Sequence, residues 1–562
     1  MATAMMSALL PMSALLRREL LRHVRRVRVF LAVAALLCIC GWVIWSYWPD
    51  APIPVLEVAA ERGGLTTTLL AVLLAASFVI VPGYAAMAIR AERDNDTYEL
   101  MRLTLLTPLS ILLGTLLNIT GMFAIGLVAA LPFLYTTHWM GGLPWHYLPI
   151  RLGIILSSTV TAASIGVLAS TQRQKTSDAV GSAFIYTMLL QLGVLTLPLR
   201  LIALLVDEYT QLQGVADALR TTALHSSPIW AIGMRTGLGS SLICIASQVV
   251  FSAVILFIAW KRLGDFEFKT AKNKSVQSWF APSELRAKYR RAHTYPDGKN
   301  PVFVREFHDA MQRAQVDVTS SLFAVLFTAS AFVVAFVRMW VLAKSKSGPY
   351  GLDELTYYFM GCIFLGGILI PGLSTPTWIS ERNTEAEESL EMSLLTRRER
   401  FWGRASAAAA LPVIVITCCL VGASPVLMAV PRIPGGYVGA LAGYFAVVAT
   451  VVVLLAVGRV IARLPISAVS AVALAYVVSI AYMGLPVLAA GWSQENSRDV
   501  MGNFVASISP ITGFLRVLQS RAMGVWYDGP VFKCAVFIMV QSVITAALLW
   551  TDLKAERKLR NR

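Results

Sequence analysis

Twelve stretches of this 562-residue chain run for about 20 residues or more with scarcely a charge, the length a helix needs to cross the hydrocarbon core of a bilayer. In the first half they lie at roughly 29–48, 65–89, 110–136, 149–170, 180–206 and 238–260. In the second they lie at roughly 319–343, 356–379, 405–430, 437–462, 466–491 and 531–552. A chain written this way cannot close around one soluble core. In lipid every backbone amide needs a partner within the protein, and runs this long meet that need as helices. The expected fold class is an all-α integral membrane protein with about twelve transmembrane helices. Composition points the same way. Hydrophobic residues make up 57% and charged residues 14%, against roughly 25% charged in soluble domains. That balance excludes a soluble enzyme, a disordered chain and a collagen-like fibre.

The net charge of +16 would point to nucleic acid in a soluble domain. Here its distribution gives a different account. Arginines 17, 18, 22, 25, 26 and 28 precede the first run; ten lysines and arginines fill 261–300; five more close the chain at 554–562. An even number of spans puts all three clusters on one side, and the positive-inside rule makes that side the cytosol. The N- and C-termini are thus expected to be cytosolic, with no nucleic-acid partner. The N-terminal basic cluster follows a short apolar stretch instead of preceding it, unlike a signal peptide. Seven cysteines lie within or beside apolar runs without metal-ligand spacing, and are expected to be small packing residues.

The two halves match at a fixed offset of 289 residues. VPGYAAMAIRAERDNDTYELMRLTLLTPLSILLG spans 81–114, and IPGLSTPTWISERNTEAEESLEMSLLTRRERFWG spans 370–403. Identities include Pro82/Pro371, Gly83/Gly372, Glu92/Glu381, Arg93/Arg382, Glu99/Glu388, Thr107/Thr396 and Gly114/Gly403. Weaker echoes pair Arg18-Glu19 with Arg305-Glu306, and Ser227-Pro228 with Ser509-Pro510. Six spans per copy imply two parallel repeats, the same way up in the membrane. The expected domains are 1–262 and 300–562, each a six-span unit, with a basic cytosolic linker at 263–299. Within each segment a Pro-Gly pair sits in the span, a charged stretch follows, and Leu-Leu-Thr leads into the next span. Leu100, Leu103 and Leu106 recur at helical spacing opposite Glu92, Asp96 and Glu99, as in an amphipathic helix at the membrane surface.

These residues resemble a family. ERDNDTYELMRLTLLTPLSILLG is similar to the cytosolic segment of type-2 ABC exporter permeases (the ABC-2 class of transmembrane subunit), whose pattern is roughly ER-x3-T-x-E-x-L-x2-T-P with a later Gly-Lys. NPVFVREFHDAMQR at 300–313 resembles the interfacial helix that opens such units. The second copy departs at Ala386 and Arg397, and the Gly-Lys becomes Gly114-Thr115 and Gly403-Arg404. The resemblance implies two permease units fused in tandem. It implies coupling helices that dock on a separate ABC ATPase subunit, present in two copies, through Glu92, Arg93, Glu99, Thr107, Glu381, Arg382, Glu388 and Thr396. It implies residence in the cell membrane, the bacterial inner membrane if the source is prokaryotic, with membrane lipid around it. In related permeases the region before the last span forms re-entrant helices at the outer end of the pathway. Segments 207–237 and 492–530 fit that description or that of surface loop helices.

The chain lacks GxxxxGK[ST] and has no soluble stretch long enough for a nucleotide-binding domain. It is expected to bind no cofactor and to be no enzyme itself; ATP and magnesium belong on the partner. No Asp or Glu falls in the core of a span, which counts against an ion-coupled carrier. Asn118, Gln191 and Gln248 are mild polar groups within spans, and Arg151, Arg338 and Lys533 near span ends are expected to snorkel. Apolar and mildly polar lining would suit a lipid, a hydrophobic drug or a peptide, with the transported substrate itself unknown. Two alternatives remain open: a membrane-embedded enzyme acting on lipid-linked substrates, and a non-transporting ABC membrane scaffold.

Overall fold

The structure, a computed structural model, describes residues 27–46, 64–94, 108–139, 147–173, 176–191, 213–233, 238–266, 300, 302–304, 307, 350–382, 396–422, 436–492, 507–518 and 529–560. These residues are almost entirely helical, with no strand among them. Two compact units divide the chain, Met1–Lys274 and Ser275–Arg562, and the division falls within the 263–299 segment.

The first unit contains α1 (Val27–Ser46), α2 (Gly64–Asp94), α3 (Pro108–Trp139), α4 (Leu148–Gln172), α5 (Thr176–Gln191), α6 (Gln213–His225), α7 (Pro228–Gly233) and α8 (Leu238–Phe266). The second contains α9 (Tyr350–Arg382), α10 (Arg397–Gly422), α11 (Gly436–Ala462), α12 (Ala468–Trp492), α13 (Pro510–Leu518) and α14 (Pro530–Arg560). Seven of these, α2, α3, α4, α8, α9, α11 and α14, are long and apolar enough to cross a membrane; α1 and α12 contain shorter apolar helices. A chain with seven such helices is a multi-pass membrane protein. Of the twelve expected spans, 319–343 lies outside the described residues, as does 192–206 at the end of the fifth.

In the first unit α4 is the hub. It packs against α2, α8, α5, α3 and α7, and its middle is a run of small residues, SSTVTAASIG over 157–166. Small side chains let helix backbones approach closely in lipid, where apolar burial alone does not drive association. Gly166 shows how close: a Cβ there would collide with Ala85 Cβ and stand 2.7 Å from the Pro82 carbonyl oxygen. The α4 hydroxyls mostly bond back into their own helix, as Ser158 Oγ does to Ile154 O at 2.7 Å and Thr159 Oγ1 to Ile155 O at 2.7 Å. Such back-bonding allows polar residues in a span without orphaned donors.

In the second unit α9 and α11 pack together most extensively, with α12, α14 and α13 against them. Rings fill its core. Phe359 meets Tyr444 at 5.5 Å and Phe514 at 5.4 Å, both edge to face, and Phe445 meets Phe537 at 5.7 Å. The tilted geometry suits the ring quadrupoles. The last helices of both units face outward. Leu242, Val249, Val250, Val254 and Phe257 of α8 are exposed, as are Val531, Met539, Val543 and Trp550 of α14. Apolar surface on that scale belongs against lipid.

Candidate functional site

The repeated segments place corresponding helix ends at corresponding positions. Helix α2 ends at Asp94 and α9 at Arg382; after the interval, α3 begins at Pro108 and α10 at Arg397, starts that differ by the same 289 residues as the sequence repeat. Both α2 and α9 run on through the paired prolines, Pro82 and Pro371. Pro108 is the first helical residue of α3, where a missing N–H has no cost.

Of the residues expected to couple to a partner, Glu92 sits in the last turn of α2, half-buried and engaged in an interaction. Arg93 follows it in α2, and Glu381 and Arg382 are the last two residues of α9; the side chains of these three lie outside the described set. Glu99, Thr107 and Glu388, with the proposed amphipathic helix itself, also lie outside the described residues. Thr396 has a structural task. Its hydroxyl donates to Glu399 Oε2 at 2.7 Å and its amide donates to the same oxygen at 2.8 Å. The Glu399 amide is 3.4 Å from Thr396 Oγ1. This is a capping box at the start of α10, which satisfies helix-end donors reciprocally. First the hydroxyl and then the amide of Thr396 hold the Glu399 carboxyl below its ordinary range.

The opening segment of the second unit braces this cap. Asn300 donates from Nδ2 to the Glu399 carbonyl, and its Oδ1 accepts from the Val302 amide at 3.0 Å. Gly403 makes room for it, since a Cβ there would stand 2.9 Å from Asn300 Nδ2 and Oδ1. Basic side chains gather near the ends of the long helices. Arg173 at the C-cap of α4 donates to Tyr186 Oη at 3.3 Å, and Arg459 of α11 lies 5.0 Å from the centre of the Trp378 ring. A cation at a helix C-terminus is favoured by the helix dipole.

The other end of each unit carries an inserted short helix. In the first, Ser227 Oγ donates to Gln191 O at 2.7 Å, and Gln248 Nε2 of α8 donates to Ser226 O at 3.0 Å. In the second, Ser509 Oγ donates to Met483 O at 3.1 Å, and Gln541 Nε2 of α14 donates to Ile508 O at 3.0 Å. The Ala231 amide bonds Ser227 O and the Gly513 amide bonds Ser509 O, each at 3.0 Å. The Ser-Pro serine thus fastens the insert to α5 in the first unit and to α12 in the second, and a glutamine of the last helix fastens the residue before that serine. Pro228, Ala231 and Ile232 are buried, and so are six residues of the nine-residue α13. A surface loop helix is therefore excluded for α7 and α13.

One expectation fails here. Arg151 does not snorkel outward. It is buried, and its Nη1 donates to the Ala231 carbonyl of α7. The guanidinium serves as a strut between α4 and the insert because α7 brings an otherwise open helix-end carbonyl within reach. Arg338 lies outside the described residues. Nothing in the sequence singles out Gln541 and Tyr482, although Gln248 and Gln541 occupy nearly the same place in the last helix of each unit, α8 and α14; that shared placement was the available signal. Among the described residues no group of three or more His, Cys, Asp and Glu could hold a metal. Comparison with protein-family models, curated proteins and solved structures returns no match for this chain.

Proposed function

We propose that this protein is the membrane permease subunit of an ATP-driven exporter of the ABC-2 type. In this reading two six-span repeats in one chain, twelve spans in all, stand the same way up in the cell membrane, with both termini in the cytosol. Two copies of a separate ATPase dock on the segments 92–107 and 381–396, and their ATP-driven closure rocks the units to alternate access. Glu92, Arg93, Glu99, Glu381, Arg382 and Glu388 are the docking residues. The observation that carries this is the recurrence of one charged segment between matched helix ends, at one offset, in two units whose interiors are packed differently. Charged side chains suit a surface that binds a soluble partner reversibly and transmits a push. Thr396 supports docking indirectly, by fixing where α10 starts, and the same position in the first copy is Thr107.

The test is co-purification of the full chain with an ABC ATPase expressed alongside it, followed by Glu92→Lys, Glu381→Lys and the pair. The expected result is loss of the stimulated ATP hydrolysis with the variants still monodisperse in detergent. Glu92 is half-buried, so Glu92→Gln serves as the milder variant should the lysine perturb folding. Hydrolysis unchanged in the double variant removes the docking assignment.

A further inference from the structure

Three polar groups of the first unit, two of them tied to one face of α4, are buried and have no hydrogen-bond partner among the described residues. Gln191 is 0% exposed. Its Nε2 donates to Ser158 O at 3.3 Å, and its Oε1 accepts from no donor among the described residues. Gln248, also 0% exposed, spends Nε2 on Ser226 O, and its Oε1 has no donor among the described residues. Thr187, one turn before Gln191 on α5, is buried, and its Oγ1 has no partner among the described residues. Shared anchors bring the two glutamines together. Ser226 and Ser227, adjacent in sequence, hold the Gln248 amide and the Gln191 carbonyl. Ser158 and Thr161, on one face of α4, hold the Gln191 side chain and the Gln248 carbonyl, the latter at 3.0 Å.

The second unit supplies a donor at this place from its own chain. Tyr482 Oη donates to Gln541 Oε1 at 2.6 Å, while Gln541 Nε2 binds Ser507 O and Ile508 O. Tyr482 precedes Met483, whose carbonyl takes Ser509. In the first unit the residue before Gln191, whose carbonyl takes Ser227, is Leu190, which is buried and has no donor to give. The same scaffold is thus closed in one unit and left with spare acceptors in the other. A buried acceptor without a donor is costly, so native structures rarely leave one empty-handed.

We propose that the first unit binds an uncharged hydrogen-bond donor between Thr187, Gln191 and Gln248, filling the role that the Tyr482 hydroxyl fills in the second. Both free amide oxygens are acceptors only, so the occupant donates at least two hydrogen bonds, and Thr187 can accept or donate a third. The residues named contribute no carboxylate, and the buried Arg151 lies about two turns away on α4, so a neutral O–H or N–H group fits better than a cation. Two sources share this chemistry: a water, which needs two to four polar partners in such a site, or the hydroxyl or amide of a transported molecule. The first source is independent of the exporter reading; only the second rests on it.

The test uses the full chain in lipid nanodiscs. Thr187→Val removes one hydroxyl at nearly constant shape. It is expected to lower Tm by about 2 °C if the group holds an occupant, and to leave Tm unchanged or raise it if not. Leu190→Tyr brings in the donor of the second unit; Thr187→Val is then expected to have no effect in its background. A high-resolution cryo-electron microscopy map should show density bridging Gln191 Oε1 and Gln248 Oε1 in the wild type and none in Leu190→Tyr. Density with no small-molecule adduct in native mass spectrometry identifies water; an adduct lost in Leu190→Tyr identifies a carried molecule. If Leu190→Tyr fails to fold, Thr187→Val and the wild-type map decide. A map without density, together with a Tm unmoved by Thr187→Val, overturns the proposal. So does a Tm raised by sodium or potassium chloride at constant ionic strength, which makes the occupant a cation.

Discussion

The two units use one scheme of fastening and two ways of filling space. Around each inserted helix the same bonds recur, with Ser227 and Gln248 in one unit and Ser509 and Gln541 in the other. Behind that scheme the interiors differ. In the first unit the middle of the hub helix α4 is mostly Ser, Thr, Ala and Gly, and Gly166 lies directly on the backbone of α2 at Pro82. In the second, phenylalanines stand between the helices, and glycines recede to admit them: a Cβ on Gly443 would be 3.0 Å from the Phe359 ring, and one on Gly513 would collide with the Phe537 ring. A helix bundle in lipid needs van der Waals contact and satisfied polar groups, and either close backbones or interlocked rings provide the contact. What stays constant is the set of bonds that position the insert, which argues that the insert's placement, more than the core's composition, is what the architecture must preserve.

That comparison can be broken from either side. Phe514 is fully buried and stacks edge-on to Phe359. Phe514→Ala is expected to destabilise the second unit by about 3–5 kcal/mol, the usual cost of deleting a core ring, and to loosen α13 while the first unit stays intact. Thermal unfolding in detergent, with limited proteolysis read separately for each half, checks it. Equal loss of protection in both halves would show that the units do not fold as separate bodies. The reciprocal change is Gly166→Leu. Here the fault is overpacking, since even a methyl group meets Ala85 and the Pro82 carbonyl. A cost of about 3 kcal/mol is expected, confined to the first half. A neutral outcome would mean that α4 and α2 are not in backbone contact.

Much of this architecture was legible in the sequence, for physical reasons that also mark where legibility ends. Apolar runs of spanning length are a local property, and the seven helices that qualify fall where the runs lie. The starts of α3 and α10 could be read from Thr107-Pro108 and from Thr396 with Glu399 three residues on, because helix caps are set by neighbouring residues. The identity of tertiary partners could not be read. Arg151 looks like a snorkelling residue at a span end until α7 folds back and offers the Ala231 carbonyl. Tyr482 and Gln541 are 59 residues apart, and nothing local announces their bond. Thr396 shows a third limit: the repeat marked it as important and the resemblance assigned it to partner docking, while its hydroxyl is spent on the cap. Recurrence shows that a residue matters to both copies without saying whether to the fold or to a partner.

The capping box offers the smallest and most specific way to sharpen that last distinction. The folded protein holds Glu399 below the ordinary carboxylate range, through the hydroxyl and then the amide of Thr396. A lowered folded-state value means that the cap contributes at pH above the ordinary carboxylate value, and that its contribution is lost as the pH falls through the lowered one. Glu399 is fully exposed, so the effect on global stability is small. It should appear instead as increased hydrogen exchange in the first turn of α10 below the carboxylate range. Thr396→Ala should produce the same exchange at neutral pH, and Thr396→Ser should restore protection. If Thr396 acts only as a cap, Thr396→Ser also restores whatever ATPase stimulation Thr396→Ala loses. If stimulation stays low in Thr396→Ser while the first turn is protected, the threonine methyl touches the partner, and the position has both duties.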